Sequence, residues 1–203
     1  MRNMSKSALV YMGVALCAIA AVAFVALRDP ATTGGSVDTT AVAAMRGGDM
    51  KKLNFHPELR PVSTKTFEAE DGSTLSLAEY QGQYVLLNFW ATWCAPCRKE
   101  MPMLAELQRE FGGDDFQVVT LATGRNAPPA MKKFFEEIGV DNLPLHRDPN
   151  SAVARDMAVL GLPVTALIDK NGNEIARLTG DADWASDNAK AILKAVIEGP
   201  AMN

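Results

Sequence analysis

The sequence has only two histidines, three cysteines and no excess of basic residues, and each shortage closes off a class of function. His56 and His146 beside a single Cys-x-x-Cys fall short of a structural zinc site, because no second cysteine pair completes the four nitrogen and sulfur ligands. Lys and Arg number 20 against 24 Asp and Glu, so the basic face that nucleic-acid binding draws on is missing. Three cysteines in 203 residues do not form the disulfide framework of a small secreted domain. No internal repeat and no sustained heptad is present, which leaves a monomer as the default expectation. What remains is ordinary globular composition, 48% hydrophobic and 22% charged, with mild acidity that favours solubility.

One long apolar run does occur. Residues 8–27, ALVYMGVALCAIAAVAFVAL, carry no charge over the length needed to cross a bilayer core of about 30 Å. Arg2 and Lys6 precede the run, and Arg28 and Asp29 cancel after it. The positive-inside rule then places residues 1–7 in the cytoplasm, residues 8–27 across the inner (cytoplasmic) membrane and the rest in the periplasm. A cleaved signal peptide is the rival reading. The run is longer than a usual signal core and its Ala-x-Ala patterns lie inside it, so an uncleaved anchor is preferred. Cys17, within the run, reads as a small hydrophobe.

Residues 28–60 show no sustained period and read as a flexible tether, with His56 solvated in its last part. Residues 61–203 read as a globular domain. Thr64–Ala69 and Ser73–Leu77 flank Glu70-Asp71-Gly72 as a hairpin. The runs YVLLNF (84–89) and FQVVTLA (116–122) have the continuous apolar character of strands covered on both faces. Helices are expected from the cysteine motif to Phe111, over 128–138, 152–160 and 184–197, with a short extended piece at 143–146 ending on a surface or edge His146. A hairpin joins 164–168 to 174–178. The alternation predicts an α/β domain with a central mixed sheet flanked by helices.

Cys94-Ala95-Pro96-Cys97 lies where a strand enters a helix. Cys94 is expected at the helix N-terminus, where unpaired N–H groups and the helix dipole favour the thiolate that attacks disulfides. Cys97, one turn further in, suits the resolving role. A two-residue loop makes a poor structural staple, since closing it removes little chain entropy. The redox-active disulfide is then the whole cofactor requirement, with no metal. Pro96 is tolerated in the first turn, whereas Pro102 removes an interior backbone bond and predicts a kink.

The segment LLNFWATWCAPCRKEMPMLAELQ, with GLPVT (161–165) and ALIDKNGNEIAR after it, closely resembles the TlpA-like thioredoxins, a family that includes ResA and CcmG. ADWASDNA near residue 184 resembles its TlpA branch in particular. The resemblance spans roughly residues 60–197 and implies a thioredoxin-like fold. It implies that Pro163 is cis and faces Cys94, that Leu162 offers its backbone to an extended substrate segment, and that Trp93 and Pro96 border the docking surface. Glu100 stands at the position of an active-site acid and is expected to tune or relay cysteine protons. Asn88 stands where ordinary thioredoxins carry a buried aspartate, so a neutral amide replaces a proton shuttle there. Trp90 shields or packs the site.

The family implies a reductase of disulfides in partner proteins. In the TlpA branch these would be a Sco-type copper chaperone and the copper-binding subunit of cytochrome oxidase, reduced so that their thiolates can take copper. A membrane-embedded thiol donor would supply electrons, the surrounding compartment being oxidising. Reduction of apocytochrome c before haem attachment is the close alternative. From a different class comes a Cu(I) chaperone using Cys94, Cys97, Met101 and Met103. Met101, however, falls on the inward stripe with Cys97, Leu104 and Phe111, which core packing explains. A disulfide-forming oxidase stays open. A peroxidase resting on Arg98 alone has little support.

Overall fold

The computed structural model describes residues 38–199. The predicted membrane span falls outside them, and no helix among the described residues is long and apolar enough to cross a membrane.

Eight strands form one mixed sheet in the order β1-β8-β7-β4-β5-β6-β2-β3. They are β1 (Asn54–Pro61), β2 (Phe67–Glu68), β3 (Thr74–Leu75), β4 (Tyr84–Trp90), β5 (Phe116–Thr123), β6 (His146–Asp148), β7 (Val164–Ile168) and β8 (Asn173–Thr179). The helices are α1 (Thr39–Ala44), α2 (Ala95–Phe111), α3 (Pro128–Glu137), α4 (Ala152–Asp156) and α5 (Asp187–Glu198). This is the thioredoxin-like α/β arrangement that the sequence predicts.

Strand β4 lies at the centre, parallel to β5 and antiparallel to β7. Every one of its residues is buried, as an apolar run covered on both faces must be. Because side chains alternate along a strand, Leu86 and Trp90 join the core formed with α2, α3 and α5. Val85, Leu87 and Phe89 join the second core, beneath α4. Asn88 shares the parity of Leu86 and Trp90, which aims an amide at the α2 face. Fully burying each leucine here is worth about 2 kcal/mol.

Helix α2 continues through Pro102 to Phe111. Its inward stripe is Cys97, Met101 and Leu104, all fully buried, while Phe111 packs at the edge of the same core. The helix stops at Gly112, where a Cβ would collide with the Gln108 carbonyl oxygen. That oxygen accepts the Gly112 N–H at 3.0 Å.

Several expectations need correction. The tether does not extend to residue 60: α1, a 3-10 turn at Gly48–Lys52 and β1 occupy 39–61, and β1 pairs with β8. A strand exposed along most of its length has no alternating apolar pattern to betray it. His56 is accordingly not solvated; its ring lies against Glu174, 2.7 Å away. His146 is an interior residue, 8% exposed, with Nε2 2.7 Å from the Tyr80 hydroxyl. Helix α4 ends at Asp156 because Ala158 turns left-handed (φ 53). Helix α5 starts at Asp187, capped by the Ser186 hydroxyl accepting from Ala189 N.

Candidate redox site at the end of the central strand

Strand β4 delivers the chain to the sheet edge at Trp90, and α2 begins five residues later. Cys94 is the N-cap of α2; its sulfur accepts the Cys97 N–H at 3.3 Å. The two cysteines are joined as a disulfide, Cα atoms 5.3 Å apart. Cys94 is 6% exposed and Cys97 fully buried. That asymmetry assigns the roles chemically. An incoming disulfide reaches Cys94, whose thiolate a backbone donor and the helix end stabilise. Cys97 is left to attack only the sulfur already bonded beside it.

The cis peptide bond lies at Leu162-Pro163, as the resemblance implies. Strand β7 opens with Val164 opposite Phe89, so the topology brings this bond to the end of the sheet where β4 leads into the cysteines. Gly180 N donates to the Pro163 carbonyl at 2.9 Å. Among the described residues, the backbone groups of Leu160, Gly161 and Leu162 make no hydrogen bond. Trp93 is 68% exposed and Leu160 98%, an unusual display for large apolar side chains. Pro96 is exposed in the first turn of α2. Trp90 is fully buried and packs on Phe134 and Phe135, so it supports the site from within and does not shape its surface.

Glu100 is fully buried, three residues after Cys97 and thus on the same side of α2. Its Oε1 accepts from Trp184 Nε1 at 2.8 Å and from Ala182 N at 3.1 Å. Burial pushes its carboxyl up from 4.5 to about 7, because desolvation of the charged form outweighs these two donors and a smaller contribution from the neighbouring Asn88 amide. Asn88 Nδ2 donates to Thr165 Oγ1 at 2.9 Å. Asn88 Oδ1 and Glu100 Oε2 are both buried without a partner. A buried, unpartnered Oε2 favours the protonated carboxyl, in keeping with its titration near neutrality. The site is therefore a disulfide with a neutral-range acid behind it.

Sequence reasoning missed Trp184, Ala182 and Thr165 as the frame around Glu100 and Asn88. The signal was present in ADWAS, read only as a family mark and a helix start. It also missed Asn126, whose Oδ1 accepts from Thr92 N at 2.8 Å and ties the β5–α3 loop to the segment before Cys94. Arg98 stacks on Phe134, 4.2 Å from the ring centre, and donates to the Thr92 carbonyl. That occupation removes the basis for a peroxidase. Among the described residues no group of three or more His, Cys, Asp or Glu gathers to hold a metal. A cavity of about 360 Å3 between the β2–β3 turn and the start of α3 includes none of the site residues. Pro128 and Pro129, at the start of α3, offer it no backbone N–H.

The Redoxin family model matches residues 55–193. The thiol–disulfide oxidoreductase ResA of Bacillus subtilis strain 168 is 34% identical over 113 residues, 56% of this chain and 62% of the relative. ResA of Geobacillus thermodenitrificans is 36% identical over 110 residues, 54% of this chain and 62% of the relative. The chain thus spans less than two thirds of these relatives' length. Among solved structures, a DsbF homologue from Corynebacterium diphtheriae superposes with a TM-score of 0.58 at 26% identity, covering 74% of this chain and 96% of the other. A putative thiol:disulfide interchange protein DsbE from Chlorobium tepidum gives 0.61 at 24% identity, over 69% and 97%. That second likeness concerns the fold. The chain belongs to the Redoxin family, and these relatives bear out its resemblance to TlpA-like thioredoxins.

Proposed function

We propose that this chain is a thiol–disulfide oxidoreductase that reduces disulfides in partner proteins. The observation carrying the reading is the Cys94–Cys97 disulfide at the N-terminus of α2, its outer sulfur reachable and its inner sulfur buried. The cycle follows from that geometry. The Cys94 thiolate attacks one sulfur of the substrate disulfide, forming a mixed disulfide and releasing the substrate's other sulfur as a thiolate. Cys97, once deprotonated, attacks Cys94 Sγ; the mixed disulfide breaks and the second substrate thiolate leaves. Two electrons pass from the Cys94–Cys97 dithiol to the substrate, which takes up two protons. Glu100 is the acid we assign to take up the Cys97 proton, a role supported by its place one turn beyond Cys97 on α2 and by a carboxyl near 7. No group besides the cysteine pair is needed.

The docking surface of this reading comprises Trp93, Pro96, Leu160 and the backbone of Leu162 beside the cis bond. An extended segment can hydrogen-bond the open backbone there while exposed apolar side chains grip its flanks.

The wider role extends the same proposal. The apolar run at 8–27 anchors the chain in the inner membrane with the domain in the periplasm. Its partners are a Sco-type copper chaperone and the copper-binding oxidase subunit, and a membrane thiol donor re-reduces the pair. The chain acts as a monomer. Apocytochrome c is the alternative substrate, and the ADWAS segment favours the copper branch.

The test is the reduction potential of the pair, equilibrated against glutathione and dithiothreitol. A value near or below about −270 mV supports the reductase, and one near about −120 mV identifies a disulfide-forming oxidant instead. Reduction of Sco-type protein and apocytochrome c at comparable concentration then separates the two branches.

A further inference from the structure

Among the described residues, a buried cluster of ionisable side chains lies outside the redox site. Glu174 of β8 is 2% exposed. Its Oε1 lies 2.7 Å from His56 Nε2 of β1, and Arg177 clasps both carboxylate oxygens, Nε to Oε1 at 2.7 Å and Nη2 to Oε2 at 2.5 Å. Residues three apart on a regular strand point to opposite faces. Here the β7–β8 register slips, Leu167 opposing Ala176 and Ile168 opposing Glu174, so Ile175 is the extra residue of a β-bulge. Ile175, Ala176 and Leu178 all turn to the α2 core, and Glu174 and Arg177 meet on the opposite face. A second irregularity, between Phe55 and Arg60 of β1, brings in His56. Two register irregularities and a buried cluster of carboxylate, guanidinium and imidazole are more than edge-strand pairing requires, since a buried ion pair is a poor source of stability.

The remaining guanidinium nitrogen shows where the cluster acts. Arg177 Nη1 donates to the carbonyl of Met157 at 2.7 Å. Met157 is the C-cap of α4, an orphan carbonyl at the negative end of the helix. The next residue, Ala158, is left-handed at a position glycine normally fills, with Val159 N reaching back to Ala154 O at 2.8 Å. From this turn the chain runs directly through Leu160, Gly161 and Leu162 to cis-Pro163. Among the described residues, Leu160, Gly161 and Leu162 have no backbone hydrogen bonds, so their path depends on how the ends of the loop are held.

We propose that the His56–Glu174–Arg177 cluster is a positioning device for the 158–163 docking loop, with Arg177 fixing the Met157 carbonyl from which that loop departs. Glu174 holds the guanidinium in a single orientation, and His56 occupies the face of the carboxylate that Arg177 leaves open. The device acts on substrate binding and leaves the chemistry of the cysteines alone, since none of the three residues touches the cysteine pair. It rests on the oxidoreductase reading for what the loop binds.

The test uses the full chain and its Arg177→Gln, Glu174→Gln and Arg177→Lys variants. Two oxidised probes are compared: a ten-residue peptide closed by one disulfide, and dithiobis(nitrobenzoate), a small disulfide that needs no strand docking. Arg177→Gln is expected to raise KM for the peptide about tenfold with kcat unchanged. Its rate with the small disulfide and its reduction potential are expected to match the parent. Hydrogen exchange at the bonded amides of Ala158 and Val159 is expected to quicken, and Arg177→Lys to restore part of the KM. Should Arg177→Gln not fold, Glu174→Gln carries the same readouts, because it loosens the guanidinium while keeping its shape. Unchanged peptide KM and unchanged exchange at Ala158 and Val159 would overturn the proposal. A parent protein that reduces neither probe would instead overturn the oxidoreductase reading.

Discussion

Replacing Glu100 by Gln isolates the acid behind the disulfide. The amide oxygen keeps both donors that Oε1 now receives, Trp184 Nε1 and Ala182 N. Its nitrogen takes the place of Oε2, which makes no hydrogen bond in the parent. Shape and hydrogen bonds are therefore retained while the titration is removed. In the parent protein, folding moves this carboxyl from 4.5 to about 7. At about 1.4 kcal/mol per pH unit, the folded state loses on the order of 3 kcal/mol as the group is forced to ionise. The sign follows from proton counting. Between 4.5 and about 7 the native state binds more protons than the unfolded chain, so stability falls as pH rises through that window. The contribution is present in full below 4.5 and gone above about 7. Glu100→Gln is expected to match the parent at pH 4.5 and to exceed it by up to about 3 kcal/mol at pH 8.5. Urea unfolding of both proteins at half-unit pH intervals measures this. A stability difference that stays flat from pH 4.5 to 8.5 would refute the burial argument for Glu100.

Four other changes test neighbouring steps. Cys97→Ala is expected to leave a persistent mixed disulfide between Cys94 and a protein substrate, seen as a covalent adduct by mass spectrometry; the absence of any adduct would count against Cys94 as the attacker. Trp184→Phe removes the stronger donor to Glu100 and is expected to cost about 1–3 kcal/mol at pH 8, and less at pH 5 where the acid is neutral. Asn88→Asp sets a second carboxyl beside the first, which is expected to raise the pair's apparent titration and lower the urea midpoint at pH 7. Asp148→Ala removes the side chain that accepts from Ala152 N at 2.7 Å and Ala154 N at 2.9 Å, and is expected to cost about 2 kcal/mol by thermal unfolding.

What could be read from the sequence followed pattern strength. YVLLNF declared β4 because a strand covered on both faces has no room for polar residues, and Cys94 and Cys97 declared themselves by spacing. The cis bond at Pro163 was legible through the family resemblance carried by GLPVT, and it is present. The strand β1 was hidden, its sequence NFHPELRP being set by exposure on one edge rather than by burial. Bulges hid the charge cluster, since a period of two assigns Glu174 to the wrong face. Trp184 was hidden for another reason: its role depends on a partner 84 positions earlier, and no local pattern records such a contact.

That distance has a consequence for the order in which the site comes into being. The cysteines and Glu100 emerge from the ribosome together, on one stretch of helix. The groups that hold Glu100 belong to the turn after β8 and follow some eighty residues later. Until that turn docks, the acid has water for company and the titration of an ordinary surface carboxylate. A nascent chain stopped before Ala182 would carry both thiols and an acid without the segment whose packing completes its burial. Trp184 thus arrives late, and Glu100 gains its buried setting only when the last strand of the sheet is already in place.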